Sequence, residues 1–168
     1  YADGSPELKH CASELRCVHD TSAPGIHQSN GVIERSVRII EDGARTILAN
    51  AGLPTCFWPY SVEHFSFAYN VSQRLSDGDS SWNLRHNIGQ FDGPLIPFGA
   101  LIDFLPIPDV QGRRPKFAPR STPGIFLGYY LSSGGQWKGD YLVADLREFS
   151  DRDFSVDSKW KPVKTQRV

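Results

Sequence analysis

The chain has 168 residues, of which 39% are hydrophobic and 22% charged, and its formal net charge is −1. These values allow one medium-sized or two small globular domains and exclude a chain that is disordered throughout. The sequence contains no methionine, so we expect an internal or processed piece of a longer translation product. No apolar run approaches the roughly 20 residues of a membrane span, and no signal peptide opens the chain. We therefore expect a protein that is neither membrane-bound nor secreted.

Charge is divided unevenly along the chain. Residues 1–110 hold 7 Lys and Arg against 13 Asp and Glu, a charge of −6, whereas residues 111–168 hold 11 against 6, a charge of +5. The basic part is a candidate contact for a polyanion, although solvated loop charges explain it equally well. The three cysteines and five histidines show no paired ligand spacing, so we expect neither a disulfide framework nor a zinc site.

The first 29 residues contain only short elements. Tyr1-Ala2 is typical of a strand end, Ser5-Pro6-Glu7 begins a short helix that runs to about Arg16, and Cys17–His19 suits one further strand. From Asn30 the pattern predicts a long helix, which Gly52 and Pro54 end. Its apolar stripe consists of Ile33, Val37, Ile40, Ala44, Ile47 or Leu48, and Ala51, and its polar face of Glu34, Arg38, Glu41 and Arg45.

A second helix is predicted from Thr55 to about Leu75, with an aromatic-rich core stripe. That stripe is formed by Trp58, Val62, Phe65 and Tyr69. Residues 76–97 are rich in Ser, Asp, Gly, Asn and Pro, which is typical of a linker, and we place the domain boundary there. Short apolar or alternating runs follow and predict a small β-barrel. These runs are Phe98–Phe104, Gly124–Tyr130, Gly139–Ala144 and Glu148–Val156.

One segment has the character of a known motif. Residues 24–35 read Pro-Gly-Ile-His-Gln-Ser-Asn-Gly-Val-Ile-Glu-Arg, and this stretch resembles the one around the last catalytic acid of copia-type (Ty1/copia) retrotransposon integrases. The resemblance continues in the order of the family over nearly the whole chain. Its further motifs are Ala44–Leu48, Ala51–Pro54, Phe57-Trp58-Pro59, Phe98-Gly99, Gly124–Tyr129 and Phe149–Phe154.

The resemblance implies an α/β fold followed by a small all-β domain. Residues 1–75 would be the C-terminal part of a ribonuclease-H-like catalytic core, mainly its helices, and residues 98–156 the SH3-like barrel of retroelement polyproteins. Residues 76–97 would link the two, and residues 157–168 would form a basic tail. Because few strands of the core's sheet are present, we expect the N-terminal half to be marginally stable.

By the same resemblance, Asp3 matches the second catalytic acid of the family and Glu34 the third. Together they would hold Mg²⁺ or Mn²⁺, because carboxylate oxygens suit these hard cations and phosphodiester transfer uses metal ions to activate the attacking oxygen. The first catalytic aspartate of the family lies on a strand that this sequence lacks, and the spacing from Asp3 to Glu34 is shorter than usual. We therefore expect the chain to be inactive alone.

Several residues are candidates for contact with DNA. Gln28 and Asn30 offer amides at the start of the long helix, and Arg35 and Arg38 offer cations on its polar face. Helix capping by Asn30 and surface ion pairs of the arginines are equally good interpretations. A basic cluster further along the chain could follow a nucleic-acid backbone, or could only keep a barrel edge soluble. It consists of Arg113, Arg114, Lys116 and Arg120.

The leading hypothesis is thus a fragment of an integrase that inserts element DNA into host DNA. Its partners would be the element ends and the target DNA, the parent would form a homo-oligomer, and it would act in the nucleus or in a cytoplasmic particle. The alternative is a non-catalytic module, derived from a retroelement, that binds nucleic acid or protein.

Overall fold

The structure is a computed structural model that describes His10, Glu14 and residues 31–106, 116–117, 119–149, 154 and 160–168. The chain divides into two compact units, residues 1–39 and residues 40–168. The domain boundary predicted from the sequence, within residues 76–97, stays a prediction. Among the described residues, no helix combines the length and apolar character needed to cross a lipid bilayer.

The first predicted elements fall mostly outside the described residues. Tyr1-Ala2 and Cys17–His19 lie outside them, whereas His10 and Glu14 of the predicted first helix are helical. The His10 Nε2 atom lies 3.5 Å from the Glu14 carboxylate, the i,i+4 spacing of neighbours on one helix face.

The long helix α1 spans Gly31–Ala51, as the sequence predicted. It ends at Gly52, whose φ of 64° is the left-handed conformation that glycine adopts at helix C-termini. The predicted apolar stripe is buried only in its second half, at Ala44 and Leu48. The side chains of Ile33 and Val37 are exposed, so the first half of the stripe is not covered by described residues.

Helix α2 spans Trp58–Ser72 and follows a 3₁₀ turn at Thr55–Phe57. The predicted core stripe on this helix is wrong. The buried residues are instead Ser61, His64, Phe67 and Val71, while Trp58 is 61% exposed. His64 packs against the backbone at Gly128, where an added β-carbon would lie 3.6 Å from the His64 β-carbon. Phe65 is half-buried because its ring fills the space left by Gly43 of α1, where a β-carbon would lie 2.0 Å from the ring.

The segment predicted as a linker is ordered by hydrogen bonds and carries a helix. Helix α3 spans Ser81–His86, and the Ser80 hydroxyl caps it by accepting a hydrogen bond from the Asn83 amide. The Asp79 carboxylate accepts hydrogen bonds from the Ser80 amide, the Asn83 side chain and the Gln90 side chain. These hydrogen bonds lower the pKa of Asp79 below its usual value, and the bond from the Ser80 amide has the largest effect.

Four antiparallel strands form an open sheet in the order β1-β2-β3-β4. The strands are β1 Leu101–Phe104, β2 Thr122–Leu131, β3 Trp137–Asp145 and β4 Val163–Thr165. The predicted strand Glu148–Val156 is wrong at its start, because Leu146–Phe149 forms a 3₁₀ turn. There the Arg147 amide and side chain both donate hydrogen bonds to the Asp145 carboxylate, which favours a turn over an extended strand. The fourth strand instead lies in the predicted basic tail.

The two faces of the sheet pack against different groups of residues. On one face, Phe126 and Tyr129 of β2 share a core with Phe67 and Val71 of α2. On the other, Leu127 of β2 packs with Leu48 of α1 and Phe57. Strict alternation would put Phe126 and Tyr129 on opposite faces, but the register shifts between Phe126 and Gly128. This bulge returns Tyr129 to the face of Phe126.

The edges of the sheet meet at one end. Just beyond β1, the Leu105 amide donates a hydrogen bond to the Arg167 carbonyl at 3.1 Å, and the Thr165 hydroxyl of β4 donates one to the Leu105 carbonyl at 2.9 Å. The sheet therefore curls towards closure without a continuous ladder between β1 and β4.

Motifs that lie far apart in the sequence meet in this core. The Phe57 ring contacts the rings of Phe149, Phe154 and Trp160, with centroids 5.8, 5.2 and 5.5 Å away. The Gly99 amide donates a hydrogen bond to the Phe126 carbonyl. Within residues 40–168, the segments around Phe57, Gly99, Phe126 and Phe149 that carry the family resemblance therefore pack together.

Candidate nucleic-acid interface

The predicted site residues are only partly described by the structure. Glu34, Arg35, Arg38 and Lys116 are described, and all four are exposed. Asp3, Gln28, Asn30, Arg113 and Arg114 lie outside the described residues. The proposed pairing of Asp3 with Glu34 therefore stays a prediction.

Glu34 lies in the first turn of α1. A carboxylate there is favoured by the positive end of the helix dipole. Arg38 is four residues further along the same helix face, where the two side chains are neighbours. Neither of them, nor Arg35, forms an ion pair with another described residue, whereas Arg45 in the same helix donates a 2.7 Å hydrogen bond to Asp42. The start of α1 thus presents one acid and two bases on its exposed surface.

Lys116 is the described member of the predicted basic cluster. Its Nζ atom lies 5.9 Å from the centroid of the Phe117 ring, and this ring is 93% exposed. An exposed cation beside an exposed aromatic ring is a combination found where proteins bind single-stranded nucleic acid.

Potential metal ligands are sparse in the described part of the chain. No group of three or more His, Cys, Asp or Glu residues there is arranged to hold a metal ion. Within the described residues, Glu34 is the predicted ligand, and its partner Asp3 lies outside them.

The sequence interpretation missed a pocket between α2, α3 and the β2–β3 hairpin. Trp82, Arg85 and His86 of α3 line it, and they lie in the segment predicted to be a linker. The available signal was Ser80, which the structure shows capping the helix that carries these three residues. His86, one of the five histidines without paired ligand spacing, is half-buried in the pocket wall.

Sequence comparison identifies relatives for part of the chain. It is 31% identical over 129 residues, 74% of its length, to the retrovirus-related Pol polyprotein from transposon TNT 1-94 of Nicotiana tabacum. It is 35% identical over 78 residues, 45% of its length, to the retrovirus-related Pol polyprotein from transposon RE2 of Arabidopsis thaliana. These matches span 9% and 5% of the two relatives. No protein-family model and no solved structure matches the chain. The similarity to Pol polyproteins of plant transposons supports an origin of this chain in a retrotransposon polyprotein.

Proposed function

We propose that the chain is part of the integrase of a copia-type retrotransposon, which inserts element DNA into host DNA by metal-dependent phosphodiester cleavage and strand transfer. Similarity to two Pol polyproteins supports the retrotransposon origin. The chain corresponds to less than a tenth of either relative, so the activity proposed is that of the larger parent.

The observation that carries the integrase assignment is the position of Glu34. Its carboxylate is exposed in the first turn of a long helix, three residues after the Gln-Ser-Asn-Gly motif, and makes no ion pair with another described residue. A helix fixes the position of such a carboxylate more firmly than a loop. Arg35 and Arg38, within one turn of it, would neutralise phosphates of the DNA strand that approaches Glu34.

Glu34 fits the proposed Mg²⁺ or Mn²⁺ as one ligand, because its oxygens are hard donors and open to solvent. Asp3 would supply the second carboxylate. When bound, the metal supplies activation of the attacking oxygen and stabilisation of the leaving oxygen. The protein's own part is to hold the acids and to align the phosphate with its arginines.

The sheet supports the second part of the assignment. An SH3-like domain is a small, strongly curved antiparallel barrel, and the hydrogen bonds between Leu105, Thr165 and Arg167 draw β1 and β4 together. In this proposal the domain predicted at residues 98–156 extends to residue 168, because β4 lies in the segment predicted to be a basic tail. The partners would be the element ends and target DNA, and the parent would act as a homo-oligomer in the nucleus or in a cytoplasmic particle.

The test is Glu34→Gln in the full-length parent polyprotein, with strand transfer measured on labelled element-end DNA in Mg²⁺. We expect joining to be abolished, because the amide keeps the size of the side chain but loses the charge that binds the cation. Glu41→Gln is the matched control, since Glu41 lies on the same polar face two turns further on. Unchanged thermal unfolding of both variants would show that folding is intact. Joining at the wild-type rate by Glu34→Gln would contradict the assignment.

A further inference from the structure

A pocket of about 700 Å³ opens between α2, α3 and the β2–β3 hairpin, within residues 40–168. This volume lies in the range of pockets that hold small organic molecules. Phe67 and Trp82 line it and are more than nine-tenths buried, with ring centroids 5.6 Å apart. Tyr130 of β2 lines the pocket and is 41% exposed. The pocket therefore combines a firmly packed apolar wall with an accessible aromatic ring.

Arg85 supplies a cation to this pocket. It is exposed and lies against the hairpin turn, where a β-carbon at Gly135 would be 3.6 Å from the guanidinium carbon. Arg85 makes no hydrogen bond or ion pair with another described residue. A guanidinium group presents a planar fork of donors that matches the oxygens of a phosphate. The pocket thus offers a place for one anionic group.

Polar groups on α2 complete the lining. Ser66 and Asn70 are one helical turn apart and offer a hydroxyl and an amide, and Glu63 offers a carboxylate. The carboxylate disfavours a second anion in the pocket but accepts hydrogen bonds from amino groups such as those of nucleobases. The ligand that fits has an anion at one end and a planar ring with hydrogen-bonding edges at the other.

The aromatic rings are held in place by their neighbours. The His86 ring centroid lies 4.4 Å from that of Trp82. The Lys164 Nζ atom lies 3.9 Å from the centroid of the Tyr130 ring and 3.0 Å from the Asp140 carboxylate. The contact with Lys164 of β4 therefore holds the Tyr130 ring in position. A planar ligand ring that stacks on Tyr130 or on His86 would contact a preformed surface.

We propose that this pocket binds one unpaired nucleotide of a single-stranded nucleic acid, with the base stacked on Tyr130 or His86 and its phosphate on Arg85. A base in a duplex is stacked on both sides and cannot enter without being flipped out. The inference goes beyond the proposed integrase function, since it uses neither Glu34 nor a metal ion. Loss of strand transfer in Glu34→Gln would leave this binding unchanged.

The experiment measures fluorescence anisotropy of a labelled single-stranded DNA of mixed sequence, about 12 nucleotides long, with the 168-residue chain. Arg85→Ala removes the proposed phosphate contact, and Lys161→Ala, an exposed lysine outside the pocket, removes the same charge elsewhere. We expect Arg85→Ala to weaken binding about tenfold or more, as for loss of a charge-assisted hydrogen bond. We expect Lys161→Ala to change binding by about twofold or less. Urea unfolding of each variant verifies folding.

A second measurement locates the ligand. Deoxyadenosine monophosphate added to the ¹⁵N-labelled chain should shift the amide resonances of Asn70, Arg85 and Tyr130, and should compete with the labelled strand. Equal loss of affinity in Arg85→Ala and Lys161→Ala would overturn the proposal. So would a hairpin duplex of the same sequence that competes with the labelled strand as well as the single strand does. Displacement of the labelled strand by an acidic peptide, but not by the mononucleotide, would also overturn it.

Discussion

Gly99 packs so closely against the end of α1 that a β-carbon at position 99 would lie 2.3 Å from the Ala51 β-carbon. Gly99 also has a φ of 78°, in the left-handed region that side chains disfavour. Both residues lie in segments on which the sequence resemblance rests. Their contact joins the end of α1 to the turn that precedes β1.

Replacing Gly99 by Ala should therefore destabilise the chain through both strain and overlap. We expect a loss of about 2 to 3 kcal/mol in the free energy of unfolding, measured by urea denaturation. Gly78→Ala is the control, because Gly78 has a φ of 84° but no atom within 4 Å of the added β-carbon. It should lose only the strain, about 1 kcal/mol. Equal losses in the two variants would show that the Ala51 contact contributes nothing.

Tyr129→Phe should destabilise the connection between α3 and β1. The Tyr129 hydroxyl donates a hydrogen bond to the Pro94 carbonyl at 2.6 Å and accepts one from the Ile96 amide at 2.9 Å. Its removal leaves two backbone groups without partners, at a cost of about 1 to 2 kcal/mol in urea denaturation.

Tyr141→Phe serves as the control for this change, because Tyr141 is also buried but its hydroxyl makes no hydrogen bond with another described residue. It should cost about 0.5 kcal/mol or less. Faster hydrogen exchange at Ile96 in Tyr129→Phe alone would locate the effect, and identical stability of the two variants would contradict it.

His64 should make stability depend on pH. Burial lowers the pKa of this side chain to about 4 from 6.5, and its Nδ1 atom is buried without a hydrogen-bond partner among the described residues. The unfolded chain therefore binds a proton at a higher pH than the folded chain. The resulting stability is fully present above pH 6.5 and is lost as the pH falls towards 4, by up to about 3 kcal/mol.

Urea denaturation between pH 7 and pH 4 measures this effect, with His64→Leu as the comparison. As the pH falls from 7 to 4, the free energy of unfolding of the wild-type chain should decrease more than that of His64→Leu, because only the wild-type chain loses the His64 contribution. A constant difference across this range would mean that His64 titrates normally in the folded chain.

Trp160→Phe should loosen the aromatic cluster around Phe57. The Trp160 Nε1 atom donates a 2.6 Å hydrogen bond to the Glu148 carboxylate, and its ring stands edge-on to Phe57 and Tyr60. We expect a loss of about 1 to 2 kcal/mol in unfolding free energy. Trp58→Phe, at a mostly exposed position, should be nearly neutral, and a larger loss there than at Trp160 would refute the assignment of the cluster.

The local hydrophobic pattern was sufficient to predict some elements of the fold and not others. Helix α1 was predictable because its period is regular and Gly52 marks its end. The buried face of α2 was not, because the aromatic side chains Trp58 and Phe65 outweigh Ser61 and His64 in any hydrophobic pattern. The sheet packs against the face of α2 that carries Ser61 and His64. The tertiary structure, and not the local pattern, determines which face is buried.

The order within residues 76–97 depends on partners that are distant in sequence. Tyr129 is 35 residues away in the sequence from Pro94, whose carbonyl accepts its hydrogen bond. The local sequence pattern does not predict that bond. At the start of α1, Ile33 and Val37 of the predicted apolar stripe are exposed like Glu34, Arg35 and Arg38, because described residues do not cover this part of the helix. The pocket at Arg85 escaped sequence reasoning because α2, α3 and β2 each contribute only part of its wall.

The shared core of α2 and the sheet also bears on how such a chain can be exchanged between elements. A recombination breakpoint within residues 76–97 that joined either part to an unrelated sequence would separate Phe67 and Val71 from Phe126 and Tyr129, and each product would expose apolar surface that promotes aggregation. Shuffling of these modules during transposon evolution would therefore tend to transfer the helices and the strands together.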